Sequence, residues 1–300
     1  MNKKIDMPIE AHTEWGAALT AEQETKINIG EVYFDQRLGS ILNKDEFTAE
    51  VQKMNKEIED YLGKNTNSTA YDFRIYSDRK EYESYLITNF PDKFEGAHID
   101  NATFYYNKDM GKKIVVAKFI EAKTLDPNDP NVQKYLEKEG ISFDQLTTRI
   151  EENYKNNIYP SVAHEMAHLH PFFGGVGNEA SDNKWEQEMV CVFIDQKMWE
   201  KYNKNFKEMI EDKSREQVQD KDLYNEIIRG FKEENFEFEE WEQLFYPFLE
   251  KRYGKEKLIK FWNVLFKHKA NFEPSFEIIF GEKLKDVMDS FQKKIAKKEN

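Results

Sequence analysis

The sequence predicts an α+β fold in which a small mixed β-sheet unit is followed by a mostly helical C-terminal half. Between residues 67 and 131, short segments alternate apolar and polar side chains, which is the pattern of strands with one buried face. From about residue 132 to the end, apolar residues recur at helical spacing instead. We therefore expect one domain at 67–300, with a sheet-containing part at 67–131 and a helical part at 132–300.

Residues 1–66 are predicted to form an N-terminal helical extension of this domain. Apolar side chains keep helical spacing over about 21–62, and Val51, Met54 and Ile58 form one stripe of it. The residues at 63–67, which include glycine and asparagine, would then end the helical stretch as a loop.

Three segments of the sheet-containing part are predicted as strands, at residues 71–76, 102–106 and 113–117. The turn residues Asp109-Met110-Gly111 lie between the last two, so these strands should form a hairpin. Ser77 follows the first strand and is predicted to cap the helix that comes next.

The composition limits the partners and the compartment. The 300-residue chain is 39% hydrophobic, has a formal net charge of −13 and contains one cysteine, Cys191. The acidic balance argues against nucleic acid or an anionic membrane as the main partner, and one cysteine excludes an internal disulfide. No apolar run is long enough to span a bilayer, and no signal peptide follows Met1. We expect a cytoplasmic protein as the sequence is written, or an extracytoplasmic one if an export signal has been removed.

One motif carries clear chemistry, the H-E-x-x-H segment from His164 to His168. Residues four apart on a helix face the same way, so both imidazoles can reach one metal ion. Glu165 lies beside the first histidine and can reach a metal-bound water without ligating the metal, as a general base does. Three of the six histidines in the chain fall within seven residues here, although a helix with incidental His and Glu remains the alternative.

The surroundings of the motif favour a helix with two unlike faces. Pro160 is predicted to occupy its first turn, where a missing N–H costs little. Ser161 shares the polar face with the two histidines and Glu165, which should line a cleft. The opposite face is apolar and should pack inward; it consists of Val162, Ala163, Met166 and Ala167.

A catalytic zinc takes three protein ligands and keeps one position open, so a third ligand is needed. Glu188 is our choice, because it lies twenty positions after His168, enough for a loop and a helix that returns. The helix predicted at 185–199 is apolar on nearly every side, and a buried glutamate there needs compensation, which a metal would give. Glu186 satisfies much of the same argument, and Glu179 in the preceding loop is a further alternative.

The chain resembles the gluzincin zinc peptidases, specifically the bacterial peptidase MA-like group. The resemblance covers roughly residues 70–295. Met189 stands where the family usually has Gly, and Cys191 where it has Ala. The similar segments are the motif helix at 161–168, the W-x-x-E segment at 185–191, a helix ending in Tyr-Gly at 248–258 and the stretch around Phe280-Gly281.

The resemblance implies a zincin-like fold and zinc-dependent hydrolysis of peptide bonds, with one Zn²⁺ per chain on His164, His168 and Glu188. Glu165 would be the general base, and the partner would be a peptide or protein substrate. An extended peptide could pair with an edge strand at 102–106 or 114–117. No oxyanion-stabilising donor is identified. Tyr246 and Tyr253 are candidates, but each is expected to belong to the core. The alternatives are a non-catalytic zincin-like protein that retains the metal site, and a helical interaction protein without metal.

Overall fold

The computed structural model describes residues 26–36, 38, 42–65, 68–94, 102–107, 112–118, 127–173, 184–202, 206–231, 239–268 and 270–297. Within these ranges the chain forms four strands in one mixed sheet and thirteen α-helices. The α+β class predicted from the two hydrophobic periodicities is therefore confirmed. The predicted turn at 109–111 lies outside the described residues.

The strands form a sheet in which the hairpin strand β3 lies at one edge. They are β1 (Ile29–Phe34), β2 (Tyr71–Tyr76), β3 (Ala102–Asn107) and β4 (Lys112–Lys118), in the order β1-β2-β4-β3. The β1–β2 and β2–β4 pairs are parallel, and the β3–β4 pair is antiparallel, as the predicted hairpin requires. All three predicted strands are confirmed, but β4 lies in the middle of the sheet. Of the two proposed edge strands, only 102–106 is at an edge.

The prediction that residues 21–62 are helical is wrong for β1. This strand pairs with β2 in parallel register, for example Val32 with Phe73. The helix α1 begins only at Lys44, where the Asn43 side chain accepts hydrogen bonds from the next turn, and ends at Leu62. A six-residue strand leaves a weak local signal beside a long periodic helix, and its pairing partner lies some forty residues away. In its described part, the segment before residue 67 contributes β1 to the common sheet and α1 side chains to the main core.

Two layers of helices cover the sheet. Val115 and Ala117 of β4 join the main core, which includes α1 and the later helices. Ile114 and Val116 alternate to the other face and pack with α2 (Arg79–Asn89) and α3 (Pro91–Phe94). The cap of α2 is Asp78, whereas the predicted cap Ser77 donates its hydroxyl to Asp35 Oδ2 at 2.6 Å. The Ser77 side chain therefore makes a tertiary hydrogen bond instead of capping the helix.

The rest of the described chain is helical, as predicted from residue 132 onward. Gly254 and Gly281 end two of these helices with positive φ angles of 88° and 77°, which confirms them as helix-terminating glycines. The helices are α4 (Pro130–Glu139), α5 (Phe143–His168), α6 (Lys184–Tyr202), α7 (Phe206–Val218), α8 (Leu223–Gly230), α9 (Glu240–Gln243), α10 (Phe245–Tyr253), α11 (Lys255–His268), α12 (Phe272–Phe280) and α13 (Leu284–Ala296), with a 3₁₀ turn at Pro171–Phe173.

Helix α5 carries the H-E-x-x-H motif and starts well before the predicted position. Ser142 and Gln145 form a reciprocal capping box at its N-terminus, and Pro160 lies inside the helix. The prediction that Pro160 sits in the first turn is wrong. A proline inside a helix loses one hydrogen bond at a cost of about 3 kcal/mol. Because α5 packs against α1, α6 and two strands, tertiary contacts can offset that cost.

Candidate metal centre

Helix α5 presents the two motif histidines on the face that the sequence predicts. Val162, Ala163, Met166 and Ala167 on the opposite face are at most 1% exposed and belong to the main core. This burial fixes the rotation of the helix about its axis. The polar face is consequently held toward a cleft between α5, α6 and the edge strand β3.

The imidazoles of His164 and His168 converge with the carboxylate of Glu188 on α6. The two histidine Nε2 atoms lie 3.1 Å apart. One carboxylate oxygen of Glu188 lies 3.3 Å from His164 Nε2, and the other lies 3.2 Å from His168 Nε2. The structure therefore brings together the three residues that the sequence singled out as ligands.

The spacing and chemistry of these three side chains match a zinc site. Ligands about 2.1 Å from a tetrahedral ion stand about 3.4 Å from one another, and the observed separations are 3.1–3.3 Å. Two imidazoles with one carboxylate form one of the common three-residue sets of catalytic zinc sites. The side chain of Glu188 is 42% exposed and that of His168 only 4%, so the group has a buried floor and an open side.

Without a metal, the pKa values of His164 and Glu188 move in opposite directions. Burial by itself lowers the pKa of His164, but its bond to Glu188 and the charge of Glu165 raise it to about 9. Burial acts on Glu188 in the opposite direction, and the neighbouring histidines still hold the pKa of this carboxyl well below its usual range. The metal-free site is thus a hydrogen-bonded ion pair, and a cation entering it has to displace a proton.

The cleft beside the three ligands has a volume of about 340 Å³. Glu165 lines it but is not part of the three-residue cluster, and it is 8% exposed. Ala102 and Thr103 of β3 line the cleft as well. The predicted general base and the predicted peptide-pairing strand therefore border the same space; the complete lining consists of Ala102, Thr103, Ser161, His164, Glu165, His168, Glu188 and Asp195.

The alternative candidates lie elsewhere. Glu186 is buried, is not part of the ligand cluster, and its charge raises the pKa of Tyr246. Tyr246 itself packs its ring against Phe193 and Trp262 in the core. The hydroxyl of Tyr253 donates to Glu282 at 2.8 Å, and neither tyrosine borders the cleft. The remaining ligand candidate, Glu179, lies outside the described residues.

Sequence reasoning missed Asp195, which also borders the cleft. It follows Glu188 by seven residues on α6, so the two side chains share one helix face two turns apart. Burial raises the pKa of Asp195 to about 7, the His164 ring opposes this rise, and the charge of Glu165 adds to it. The spacing of seven was visible in the sequence and could have indicated this residue.

Comparison of the chain with protein-family models, curated proteins and solved structures finds no match. The resemblance to gluzincins therefore rests on the residues quoted from this sequence. Over the described residues, no helix combines the length and apolar character needed to cross a membrane.

Proposed function

We propose that this protein is a zinc-dependent metallopeptidase of the gluzincin type. One observation carries the proposal: His164, His168 and Glu188 converge from two helices to 3.1–3.3 Å, while Glu165 borders the adjoining cleft. A purely structural site needs no spare carboxylate next to its ligands. A hydrolytic site needs one, because a proton must be moved while a water attacks the substrate.

Each of the four side chains has a defined role in this mechanism. His164, His168 and Glu188 would hold the zinc ion, which when bound supplies a Lewis acid and a water molecule of lowered pKa. Glu165 accepts the proton of the attacking water and returns it to the leaving amine. The Glu165 side chain is largely buried where it lines the cleft, which limits its movement there.

The position of β3 supports an extended peptide as the substrate. Within the described part of the chain, this strand pairs with β4 on one side only, so its other side can accept a further strand. Ala102 and Thr103, at its start, border the cleft that contains Glu165. A substrate added to this edge as a further strand would run past the ligand cluster.

The arrangement also supports a zincin-like fold as part of the proposal. A mixed sheet with an antiparallel edge strand packs on the helix that carries the motif, and a following helix supplies the third ligand. The proposed gluzincin assignment accounts for this order of elements.

The decisive experiment compares the wild-type protein with Glu165→Gln on a mixed peptide library, with and without a chelator. Glutamine keeps the size of the side chain but cannot take the proton, so we expect at least about a 10²-fold loss of cleavage. Zinc content, measured by metal analysis, should stay at about one per chain. Glu200→Gln, at an exposed position on α6, is the matched control and should cleave like wild type.

Equal cleavage by Glu165→Gln and wild type would remove the role of Glu165. A zinc-loaded wild-type protein that cleaves no peptide in the library would instead favour the non-catalytic reading, in which a zincin-like protein retains the metal for binding. A purified protein that takes up no zinc would contradict both functions.

A further inference from the structure

The described lining of the cleft has more acidic than basic side chains. Three carboxylates border it, Glu165, Glu188 and Asp195, and no lysine or arginine is among its described lining residues. A zinc ion contributes two positive charges, and its histidine ligands are neutral. With all three carboxylates ionised, the loaded site would carry one net negative charge.

Asp195 is the carboxylate that the proposed mechanism does not use. Its Oδ1 atom is buried and has no hydrogen-bond partner within the described structure. The carboxyl group does have a hydrogen bond to the side chain of Trp199, one turn further along α6, which holds it in place. A buried acceptor without a donor is costly, so a fixed carboxylate in a substrate cleft indicates a donor that arrives with the ligand.

The nearby lysine of α6 does not supply that donor. Lys197 donates to Glu250 Oε2 at 2.7 Å and so is engaged with α10. The cleft lining offers only a serine, a threonine and the ligand histidines as further polar side chains. The described lining therefore holds no cationic side chain to pair with Asp195, and a positively charged group of the substrate would fill that role.

We propose that Asp195 binds a positively charged group of the substrate, an ammonium or a guanidinium, close to the scissile bond. This inference rests on the proposed peptidase function. Seven helical residues separate Asp195 from Glu188, a rise of about 10 Å, which an extended peptide spans with about three residues. The cation is thus a lysine or arginine side chain, or the substrate's free N-terminus, within about three residues of the cleaved bond.

The test uses pairs of peptides that differ only in lysine against norleucine at one position, moved step by step along a cleaved sequence. We expect kcat/KM to favour lysine about tenfold or more at one position, as a charge-assisted hydrogen bond does. In Asp195→Asn this ratio should fall to near one, whereas a merely structural role would lower both rates together and keep the ratio. Glu200→Gln is the control and should keep the wild-type ratio.

A second set of peptides distinguishes the two sources of the cation. Acetylation of the N-terminus removes the ammonium and leaves side chains unchanged. If acetylation abolishes the preference, the N-terminus is the cation; if only the lysine replacement does, the side chain is. A wild-type enzyme that cleaves peptides with no preference at any position, acetylated or free, would overturn the inference and leave the peptidase function standing.

A binding measurement keeps the inference testable apart from turnover. Calorimetry of zinc-loaded Glu165→Gln protein should give a Kd about tenfold lower for the preferred lysine peptide than for its norleucine partner. The added replacement Asp195→Asn should remove that difference. If Asp195→Asn fails to fold, Asp195→Glu, which keeps the charge, should fold and retain the preference. Equal Kd values for both peptides would overturn the proposal even if no peptide is cleaved.

Discussion

Two histidines near the end of α5 have opposite surroundings. His164 lies against the carboxylates of Glu165 and Glu188, and its pKa is raised to about 9 despite burial. His170 is 3% exposed, and burial together with the charge of Lys113 lowers its pKa to about 3. The raised pKa keeps His164 protonated at neutral pH, so a bound metal would replace a proton there. The lowered pKa keeps His170 neutral. The burial and the charged neighbours of each ring, rather than the residue type, create this difference in pKa.

The surroundings of His170 are closed. Lys113 is completely buried in β4, and its Nζ donates to the hydroxyl of Tyr71 at 3.0 Å. The same hydroxyl accepts from Asn65 Nδ2 at 3.1 Å. Among the described residues, no salt bridge pairs Lys113 with a carboxylate, whereas the candidate ligand cluster contains Glu188 and opens on a cleft. Of these two buried polar groups, only the second has the charge and access that a cation requires.

The largest expected difference between the surroundings of His164 and those of His170 is in zinc binding. We expect His164→Ala combined with His168→Ala to abolish zinc binding, because two of three ligands are removed. His170→Ala should retain about one zinc per chain, since its ring lies outside the ligand cluster. Metal analysis of the purified variants measures both outcomes. Full zinc occupancy in the double variant would disprove the assignment of the site.

The second expected effect distinguishes Glu188 from the two other glutamates considered as the third ligand. Glu188→Gln should weaken zinc binding by at least about 100-fold, because even outer-shell changes cost 10–100-fold. Glu186→Gln and Glu179→Gln should bind zinc as wild type does. Competition with a chelator of known affinity gives these constants. A metal-free Glu179→Gln protein would show that the loop glutamate is the ligand and that our choice is wrong.

The third effect is the pH dependence of zinc affinity. The pKa of His164 in the metal-free protein is about 9, so at neutral pH zinc must displace its proton. The apparent affinity should rise about tenfold per pH unit up to that value and then level off, as expected for one proton released. Chelator competition at several pH values, corrected for the chelator's own protonation, measures the slope. A flat profile below pH 9 would contradict the ion pair in the empty site.

The smallest expected effect concerns Lys113, the buried lysine whose charge acts on His170. Burial lowers its pKa from 10.5 to about 8, so in this window the unfolded chain holds a proton that the folded chain has lost. The free energy of unfolding should therefore rise with pH between 8 and 10.5. Lys113→Met removes the buried charge and should be more stable below pH 8 by on the order of 1–3 kcal/mol.

Urea unfolding below pH 8 and near pH 10.5, with a chelator present, tests this prediction. The advantage of Lys113→Met should shrink at the higher pH, because folded wild-type Lys113 has then lost its buried charge. Lys80→Met, at an exposed position of α2, is the control and should show no such dependence. A constant difference between Lys113→Met and wild type would mean that the buried lysine does not titrate as described.

The sequence by itself determined the face of α5 that carries the candidate metal ligands. The spacing of His164 and His168, the apolar stripe opposite them and the placement of Glu188 in a buried helix were all visible as local periodicity, because helix geometry relates residues three, four and seven apart. The hairpin β3–β4 and the helix-ending glycines were visible for the same reason. In each case the interacting residues are close in sequence.

Only the tertiary structure decided which elements meet. It added β1 to the sheet, placed β4 inside the sheet and β3 at its edge, and brought Asp195 and Thr103 to one cleft. It also brought Lys113, from a strand more than fifty residues earlier, close enough to His170 for its charge to lower the pKa of the ring. Such pairings depend on packing between distant segments, which periodicity does not encode. The candidate ligands could therefore be named from the sequence, whereas the charge and the opening of their cleft could not.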